Sequence, residues 1–153
     1  HAFIYLGTAL FEGTNVSEGR GTSDPFLQLG SPTVHYDIDI LDSIMKQHHA
    51  NYELIKANPR AIPGKAVHPK FEHKEISMLR ISSFDVKKTR PVELGIDLLY
   101  YFSVADSAFQ TRTYLNNLAG IDLRKMLNEG EVKEEDAMAI RQFIESRSSY
   151  LMY

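Results

Sequence analysis

The feature that most constrains the fold is a long polar stretch close to the start of the chain. Residues 11–26, which we call the glycine loop, read FEGTNVSEGRGTSDPF and contain three glycines, one proline and six Ser, Thr, Asn or Asp residues. This composition is typical of a loop. Connections of this length without regular structure are uncommon and are often functional. The fold must therefore support a long, shaped loop directly after the apolar run Ala2–Phe11.

Composition limits the classes of protein to which the chain can belong. Its 153 residues are 43% apolar and 24% charged, which suits a globular domain with its own core. There is no cysteine, so disulfide scaffolds, thiolate zinc sites and cysteine nucleophiles are excluded. No apolar run is long enough to cross a membrane. The first residue is not methionine, and the apolar start leads us to expect partner segments upstream of it.

Hydrophobic patterning predicts an α+β fold, with a few strands early and helices late. Ala2–Phe11 is apolar and rich in β-forming residues, so it is predicted to be a buried strand or a strand followed by a turn. Asp37–Lys56 has near-helical apolar spacing and predicts a helix, with Asp37 or Asp39 as the N-cap. Asn58–Pro69 contains three prolines and a glycine, which predicts irregular structure or an edge strand.

The second half of the chain carries clearer signals of secondary structure. Glu75–Phe84 alternates apolar and polar residues and predicts a strand. Thr89-Arg90-Pro91 opens a predicted helix over Val92–Val104 that is apolar on most faces and should be largely buried. Two further helical regions are predicted. The first is Tyr114–Asn128, with an interruption at Gly120-Ile121-Asp122 and a stop at Gly130. The second is Lys133–Tyr150.

Charge is unevenly distributed although the net charge is only −3. Between Lys56 and Arg90 there are nine Lys or Arg and three Asp or Glu, so this segment carries +6. Such a segment could contact a polyanion or an acidic partner domain. The alternative is a set of solvated edge strands protected by lysines. The mixed sequence gives no support for nucleic-acid binding.

The glycine loop carries the side chains best suited to chemistry. It contains carboxylates, a carboxamide, hydroxyls and a guanidinium, and its glycines allow a close approach to a ligand. Five residues separate Gly13 from Gly19 and Gly21 follows Arg20, so the loop is not a Walker A phosphate loop, and Asp24 breaks the dinucleotide pattern. The loop suits a polyhydroxylated ligand, but it could equally satisfy its own backbone through Asn, Ser and Thr side chains.

Histidines and tyrosines give no separate site. His48 and His49 are adjacent and would point apart on a helix, and His68 and His73 lie in a segment rich in Pro and Lys. No motif with a third ligand accompanies them, so no metal site is predicted. The tyrosines of the second half are interpreted as aromatic residues at the edge of the core.

The loop and three later motifs resemble one known family. Residues 10–32 are similar to the hallmark stretch of the exo-β-N-acetylmuramidases, bacterial peptidoglycan hydrolases long described as proteins of unknown function. The matching positions are Glu12-Gly13-Thr14-Asn15, Ser17, Gly19-Arg20-Gly21-Thr22 and Pro25-Phe26. Supporting matches are Arg90–Gly95, Leu118-Ala119-Gly120 and Arg147–Tyr153. Tryptophan, common in the family, is absent from this chain.

The resemblance implies a two-domain design with a cleft between the domains. Residues 1–32 would be the last strand and loop of a Rossmann-like N-terminal catalytic domain, and residues 33–153 a small C-terminal α+β domain. The implied reaction is release of N-acetylmuramic acid from the non-reducing end of peptidoglycan fragments. The alternative is a non-catalytic accessory domain that binds glycan or caps the cleft. The segment alone is expected to be inactive.

The resemblance and the loop chemistry together name the candidate site residues. Glycosidases ordinarily need two carboxyl groups, and the main pair is expected upstream, with Glu12 facing the same cleft or pairing with Arg20. Arg20 is expected to bind the lactyl carboxylate of N-acetylmuramic acid or to brace the loop that does so. Asn15, Ser17 and Thr22 are expected to contact hydroxyl or acetamido groups.

The remaining expectations concern partners and location. The resemblance implies muramyl saccharides and the N-terminal domain of the same parent protein as partners. The residues themselves lead us to expect no metal, no nucleic-acid partner and no membrane span, and no cofactor is expected. Because peptidoglycan lies outside the cytoplasmic membrane, an extracytoplasmic location is expected.

Overall fold

The fold is a three-stranded antiparallel sheet combined with short helices. The computed structural model describes residues 2–129. The elements in chain order are α1 (Ala2–Thr8), a 3₁₀ segment (Ala9–Gly13), β1 (Gln28–Ser31), α2 (Ile38–Gln47), β2 (Ala50–Ala57), β3 (Ile76–Phe84), α3 (Pro91–Ala105), α4 (Tyr114–Ala119) and α5 (Leu123–Glu129). The predicted α+β class is confirmed.

The sheet has the strand order β1-β3-β2, so the longest strand lies in the middle. Leu29 pairs with Leu79 on one side, and Leu54 pairs with Leu79 on the other. A register shift between Asn51 and Tyr52 marks an irregularity in β2. Tyr36 joins the strands, since its hydroxyl donates to the carbonyl oxygens of Leu29 and Ser77 at 3.2 and 3.1 Å and accepts from the Leu79 amide at 3.1 Å.

A single hydrophobic core lies between the sheet and the helices. Its buried side chains come from residues 4–50 and 79–123, among them Ile4, Phe11, Leu29, Leu41, Leu79, Leu98, Phe102 and Leu115. The core is thus continuous across residue 32, where the sequence predicts a domain boundary. The division of the parent protein at that point stays a prediction.

Helices α1 and α3 cross at two glycines. A Cβ added to Gly7 would lie 1.8 Å from the carbonyl oxygen of Pro91, and one added to Gly95 would lie 2.5 Å from the backbone of Gly7. The two backbones are therefore in direct contact, an approach that only glycine allows. This crossing fixes the direction in which the chain enters the glycine loop.

The prediction of a strand at Ala2–Phe11 is wrong, because the segment forms α1 and the 3₁₀ segment. The buried residues Ile4, Gly7, Thr8 and Phe11 follow helical spacing, while Leu6 is 58% exposed. Glycine and threonine occupy two of the four core-facing positions. The core-facing side of the helix is therefore not recognisable in the sequence as a stripe of apolar residues.

The prediction of one helix over Asp37–Lys56 is half wrong. Helix α2 ends at Gln47, and β2 begins at Ala50 after His49 turns the chain with a φ of +51°. The N-cap prediction is confirmed for Asp37, whose side chain accepts from the Ile40 amide at 3.1 Å. Edge strand β2 is mostly solvent-exposed, so its sequence does not alternate cleanly between apolar and polar residues.

The other predicted elements are confirmed where the structure describes them. Strand β3 covers the predicted Glu75–Phe84 segment, and α3 begins at Pro91, as expected. Gly120 separates α4 from α5 with a φ of +71°. Residues 58–75 form no helix or strand. The predicted stop at Gly130 and the helix predicted at Lys133–Tyr150 lie outside the described residues. Within residues 2–129, no helix is both long and apolar enough to cross a membrane.

Candidate functional site

The glycine loop is held closed by its own hydrogen bonds. Ser17 pairs with Gly30 through both backbone groups, at 2.8 and 3.1 Å, and the Phe26 amide donates to the Glu18 carbonyl oxygen at 2.7 Å. The Thr14 hydroxyl donates to the Phe11 carbonyl oxygen at 2.9 Å and accepts from the Val16 amide at 3.1 Å. The loop is therefore closely hydrogen-bonded and is attached to the edge of the sheet at β1.

Asn15 ties the loop to the segment that follows α3. Its side-chain amide donates to the Ala108 carbonyl oxygen at 2.6 Å, and its side-chain oxygen accepts from the Gln110 amide at 2.8 Å. The backbone of Asn15 also donates to the Gln110 carbonyl oxygen at 3.1 Å. The carboxamide therefore pairs with this segment much as a neighbouring strand would.

Four charged side chains of alternating sign form a connected row of ion pairs in the loop, in the order Glu12, Arg20, Glu18 and Lys70. Arg20 contacts Glu12 through Nη2 at 2.5 Å and Glu18 through Nε at 3.4 Å. The second carboxylate oxygen of Glu18 accepts from Lys70 Nζ at 2.7 Å. Glu18 is 4% exposed, so Arg20 and Lys70 compensate a carboxylate that lies in the interior. Two cations and two anions make the network neutral overall.

Lys70 comes from a distant segment and completes the loop. Its ammonium also donates to the carbonyl oxygens of Phe11 and Val16, both at 2.8 Å, so all three of its donors are used within the loop. Burial lowers the pKa of Lys70, and the charge and hydrogen bond of Glu18 oppose that effect only in part. Burial also acts to lower the pKa of Arg20, but its hydrogen bond and charge interaction with Glu12, with a contribution from Glu18, raise that pKa overall.

A groove of about 650 Å³ runs between the glycine loop and a turn at residues 62–66. We call it the loop–turn groove. The turn is closed by paired backbone hydrogen bonds between Ile62 and Ala66, at 2.7 and 2.9 Å. The groove has both polar and apolar lining residues, and these are Arg20, Gly21, Thr22, Ser23, Pro25, Phe26, Ile62, Lys65 and Ala66.

Gly21 allows the two walls of the groove to meet. It has a φ of +80°, and a Cβ there would lie 2.5 Å from the carbonyl oxygen of Arg60. The Arg60 amide donates to the Gly21 carbonyl oxygen at 2.9 Å. The groove therefore has a fixed width at this end, set by contact between two backbones.

The predicted site residues have two roles in the structure: some line the groove, and others hold the glycine loop together. It brings Glu12 and Arg20 together as an ion pair and places Arg20 and Thr22 in the groove lining. Ser17 is 1% exposed, and its hydroxyl accepts from the Gly19 amide at 3.2 Å. The Thr22 hydroxyl donates to the Gly19 carbonyl oxygen at 2.6 Å. Much of the hydrogen-bonding capacity of the loop thus satisfies the loop itself, one of the two alternatives predicted from the sequence.

Sequence reasoning did not identify Lys70 or Lys65. Lys70 lies 52 residues from Glu18, and nothing in the local sequence marks it as the partner of that carboxylate. Lys65 lies in a segment of the chain whose excess positive charge was the only signal. The Pro63-Gly64 pair beside it is a turn signal that could have indicated a protruding site.

Histidines and acidic residues form no metal site in the described part of the chain. Between residues 2 and 129, no three of them lie close enough together to hold an ion. His48 is buried, with Nε2 2.6 Å from the Asp97 carboxylate, and its carbonyl oxygen accepts from the Thr89 hydroxyl at 2.8 Å. It joins the end of α2 to α3.

The architecture is that of a known class of bacterial domain. A crystal structure of a DUF1343 family protein from Bacteroides fragilis NCTC 9343 matches 99% of this chain with a TM-score of 0.65 and 28% identity. A second DUF1343 family structure from that organism matches 99% of the chain with a TM-score of 0.72 and 14% identity, a likeness of fold. The chain spans 40% and 42% of those two proteins. It thus has the α+β fold seen in these two DUF1343 family proteins.

The sequence places the chain more narrowly. The family model for the C-terminal region of exo-beta-N-acetylmuramidase NamZ matches residues 3–153. The chain therefore belongs to the NamZ C-terminal family, as its resemblance predicted. A Bacillus subtilis (strain 168) protein described as peptidoglycan beta-N-acetylmuramidase NamZ is 56% identical over 32 residues, which are 21% of this chain and 8% of that protein.

Proposed function

We propose that this chain is the C-terminal part of a glycosidase that releases N-acetylmuramic acid from the non-reducing end of peptidoglycan fragments. The observation that carries the proposal is the loop–turn groove, whose one wall is the loop by which the chain resembles the family. Within the groove, Phe26 and Ile62 supply apolar surface and Ser23 a hydroxyl, while Lys65 supplies a net positive charge and Arg20 is paired with Glu12. This mixture suits an anionic sugar.

The chain supplies ligand binding, and the main catalytic carboxylates lie in a part of the enzyme that it does not span. Glycoside hydrolysis ordinarily needs an acid and a second carboxylate about 5–9.5 Å apart. Glu12 is bonded to Arg20 at 2.5 Å, and Glu18 is buried against Lys70 and Arg20. Both carboxylates are thus committed to ion pairs, which argues against either one acting as the proton donor.

The parent enzyme is proposed to have an N-terminal catalytic domain that ends at about residue 32, so that the glycine-loop wall of the groove comes from that domain and the 62–66 turn from the C-terminal domain. Its substrate, peptidoglycan, lies outside the cytoplasmic membrane, so we propose that the enzyme acts there. A domain that only binds glycan or caps the cleft would have the same groove. Hydrolysis by the longer protein is therefore the measurement that separates the two roles.

The test compares release of an aryl group from a chromogenic β-muramide by the full-length parent protein and by this 153-residue chain. We expect hydrolysis by the parent and none by the chain alone, together with binding of N-acetylmuramic acid to both. The aryl β-glucosaminide is the matched substrate without the lactyl carboxylate and should be hydrolysed more slowly by the parent. Equal rates on the two substrates, or no hydrolysis by the parent, would contradict the proposal.

A further inference from the structure

We propose that Lys65, on the 62–66 turn, selects the carboxylate of a muramyl ligand in the loop–turn groove, and that Arg20 is a positioning residue that holds the glycine loop in shape. The inference rests on the proposed function and names the specificity-determining residue of that same site. It chooses between the two roles that the sequence leaves open for Arg20.

The first step concerns the charge of Arg20, which is already compensated. Its Nη2 lies 2.5 Å from the Glu12 carboxylate, and its Nε lies 3.4 Å from the Glu18 carboxylate. Lys70 balances the remaining negative charge from the interior side at 2.7 Å. A ligand carboxylate that approached Arg20 would meet Glu12 as a competing acceptor and as a like charge.

The second step concerns Lys65, whose charge is not compensated. Lys65 lines the groove from the turn side, and its side chain is exposed. Within residues 2–129 it has no ion pair, and the only lining residues with formal charge are Lys65 and Arg20. The groove therefore owes its net positive charge to Lys65.

The third step concerns the backbone that carries Lys65. Its amide donates to the Ile62 carbonyl oxygen at 3.0 Å, and the turn is closed by the two bonds between Ile62 and Ala66. The turn therefore holds the backbone of Lys65 through local hydrogen bonds only, while its four-carbon stem is exposed. A compact ammonium on such a stem can follow a carboxylate on a flexible substituent.

The fourth step concerns the ligand. N-acetylmuramic acid and N-acetylglucosamine share their acetamido group and most of their hydroxyls, and they differ in the lactyl ether and its carboxylate. Contacts with shared groups bind both sugars equally. Discrimination therefore falls to the uncompensated cation of the groove.

The test measures dissociation constants of the wild-type chain and its variants for N-acetylmuramic acid and for its methyl ester, which lacks the charge. Lys65→Met should weaken binding of the acid about tenfold, as expected for one charge-assisted contact in an open groove, and should leave the ester unchanged. Lys65→Arg should retain the preference for the acid. Lys74→Met removes an exposed lysine from the same segment, outside the groove, and is the matched control.

Arg20 provides the second arm. Arg20→Lys should weaken the acid and the ester by the same factor, because the substitution disturbs the loop and not the carboxylate contact. If Lys65→Met keeps the wild-type preference, or if Arg20→Lys removes the preference selectively, the inference is overturned while the proposed function stands. If the wild-type chain binds neither ligand, both are overturned.

Discussion

At the scale of single residues, the glycine loop depends on groups that are buried and charged. Glu18 is 4% exposed, and its carboxylate is satisfied by Lys70 and Arg20. Removing one partner of a buried ion pair generally costs more than the pair contributes, because it leaves an uncompensated charge in the interior. The loop should therefore be more sensitive to Lys70 than to any exposed lysine.

Lys70→Met tests this dependence. We expect the free energy of unfolding in urea to fall by about 3 kcal/mol, since Glu18 and two carbonyl oxygens lose their donor. The double variant Lys70→Met with Glu18→Gln should lose less, because no uncompensated charge remains. Lys74→Met is the exposed control and should change stability by under about 0.5 kcal/mol. A loss for Lys70→Met no larger than that of the control would contradict the interpretation.

Tyr36 makes a second prediction, which concerns pH. Burial raises the pKa of Tyr36 above its ordinary value of 10.0, because the ionised phenolate is disfavoured among the strands. The unfolded chain ionises first, so the stability due to the neutral phenol is complete below about pH 10 and is lost as pH rises toward the pKa of the folded state.

Tyr36→Phe separates this effect from general alkaline unfolding. The variant should be less stable at pH 7 by about 1–3 kcal/mol, because the Leu79 amide and two carbonyl oxygens lose their partner. Its stability should decline less steeply than that of the wild type between about pH 10 and 12. Parallel stability profiles over that range, measured by urea unfolding, would show that Tyr36 does not ionise more readily in the unfolded chain.

At the scale of elements, the crossing of α1 and α3 is the tightest contact between helices. Gly7 and Gly95 bring the two backbones together so closely that a methyl group would overlap backbone atoms at 1.8 to 2.6 Å. Helix propensity alone favours alanine over glycine by about 1 kcal/mol. Packing and propensity therefore make opposite predictions for the same substitution.

Gly95→Ala decides between them. We expect a net destabilisation of about 1–3 kcal/mol or more, because both obstructing groups are backbone and cannot move aside as a side chain would. Val104→Ala is the matched control on the same helix, since Val104 is 77% exposed and its substitution tests propensity alone. Thermal or urea unfolding measures both. If Gly95→Ala stabilises the chain, the helices do not cross as closely as described.

The elements also show which kinds of secondary structure the sequence predicts well and which it does not. Strand β3 and helix α3 are predicted correctly because apolar and polar residues alternate over part of β3, while α3 is fifteen residues long and begins at a proline. Helix α1 is missed because Gly7, which contacts the backbone of α3, and Thr8, whose hydroxyl donates to the Ile4 and Phe26 carbonyl oxygens, interrupt its apolar stripe. Strand β2 is missed because an edge strand buries little.

The candidate site is also predictable only in part, because one of its walls depends on tertiary contacts that local sequence does not show. The glycine loop is continuous in sequence, so its composition and motif identify one wall of the groove. The other wall is the 62–66 turn, and the groove arises because Gly21 meets the backbone of Arg60. Such contacts depend on tertiary structure, and local patterning does not encode them. The same holds for the contact of Asn15 with Ala108 and Gln110.

At the scale of the whole molecule, the glycine loop is held from two remote places. Lys70 anchors it from the segment before β3, and the residues after α3 pair with Asn15 and Thr14. Asp106 extends this anchoring, since its carboxylate accepts from the hydroxyls of Ser31 and Thr33 at 2.6 and 2.5 Å. The loop should therefore open only when the core itself opens.

Amide hydrogen exchange tests this coupling. The amides of Asn15, Ser17 and Phe26 are hydrogen-bonded within the glycine loop or to the segments that anchor it, and we expect them to exchange as slowly as amides in the middle of β3. The Lys65 amide, in the exposed turn, should exchange much faster. Rapid exchange at Ser17 and Phe26 would mean that the loop opens independently of the core.

The contrast between the two walls of the groove has a consequence for how its ligand preference can be altered. The loop wall is fixed by remote anchors, so changes in its length or sequence would propagate into the core. The turn wall closes on itself between Ile62 and Ala66, and Lys65 within it is exposed, while Gly64 has a φ of +74° that only glycine adopts without strain. New side chains can be introduced at position 65 without repacking the interior. The 62–66 turn is therefore the natural place to engineer a different sugar preference on the same scaffold.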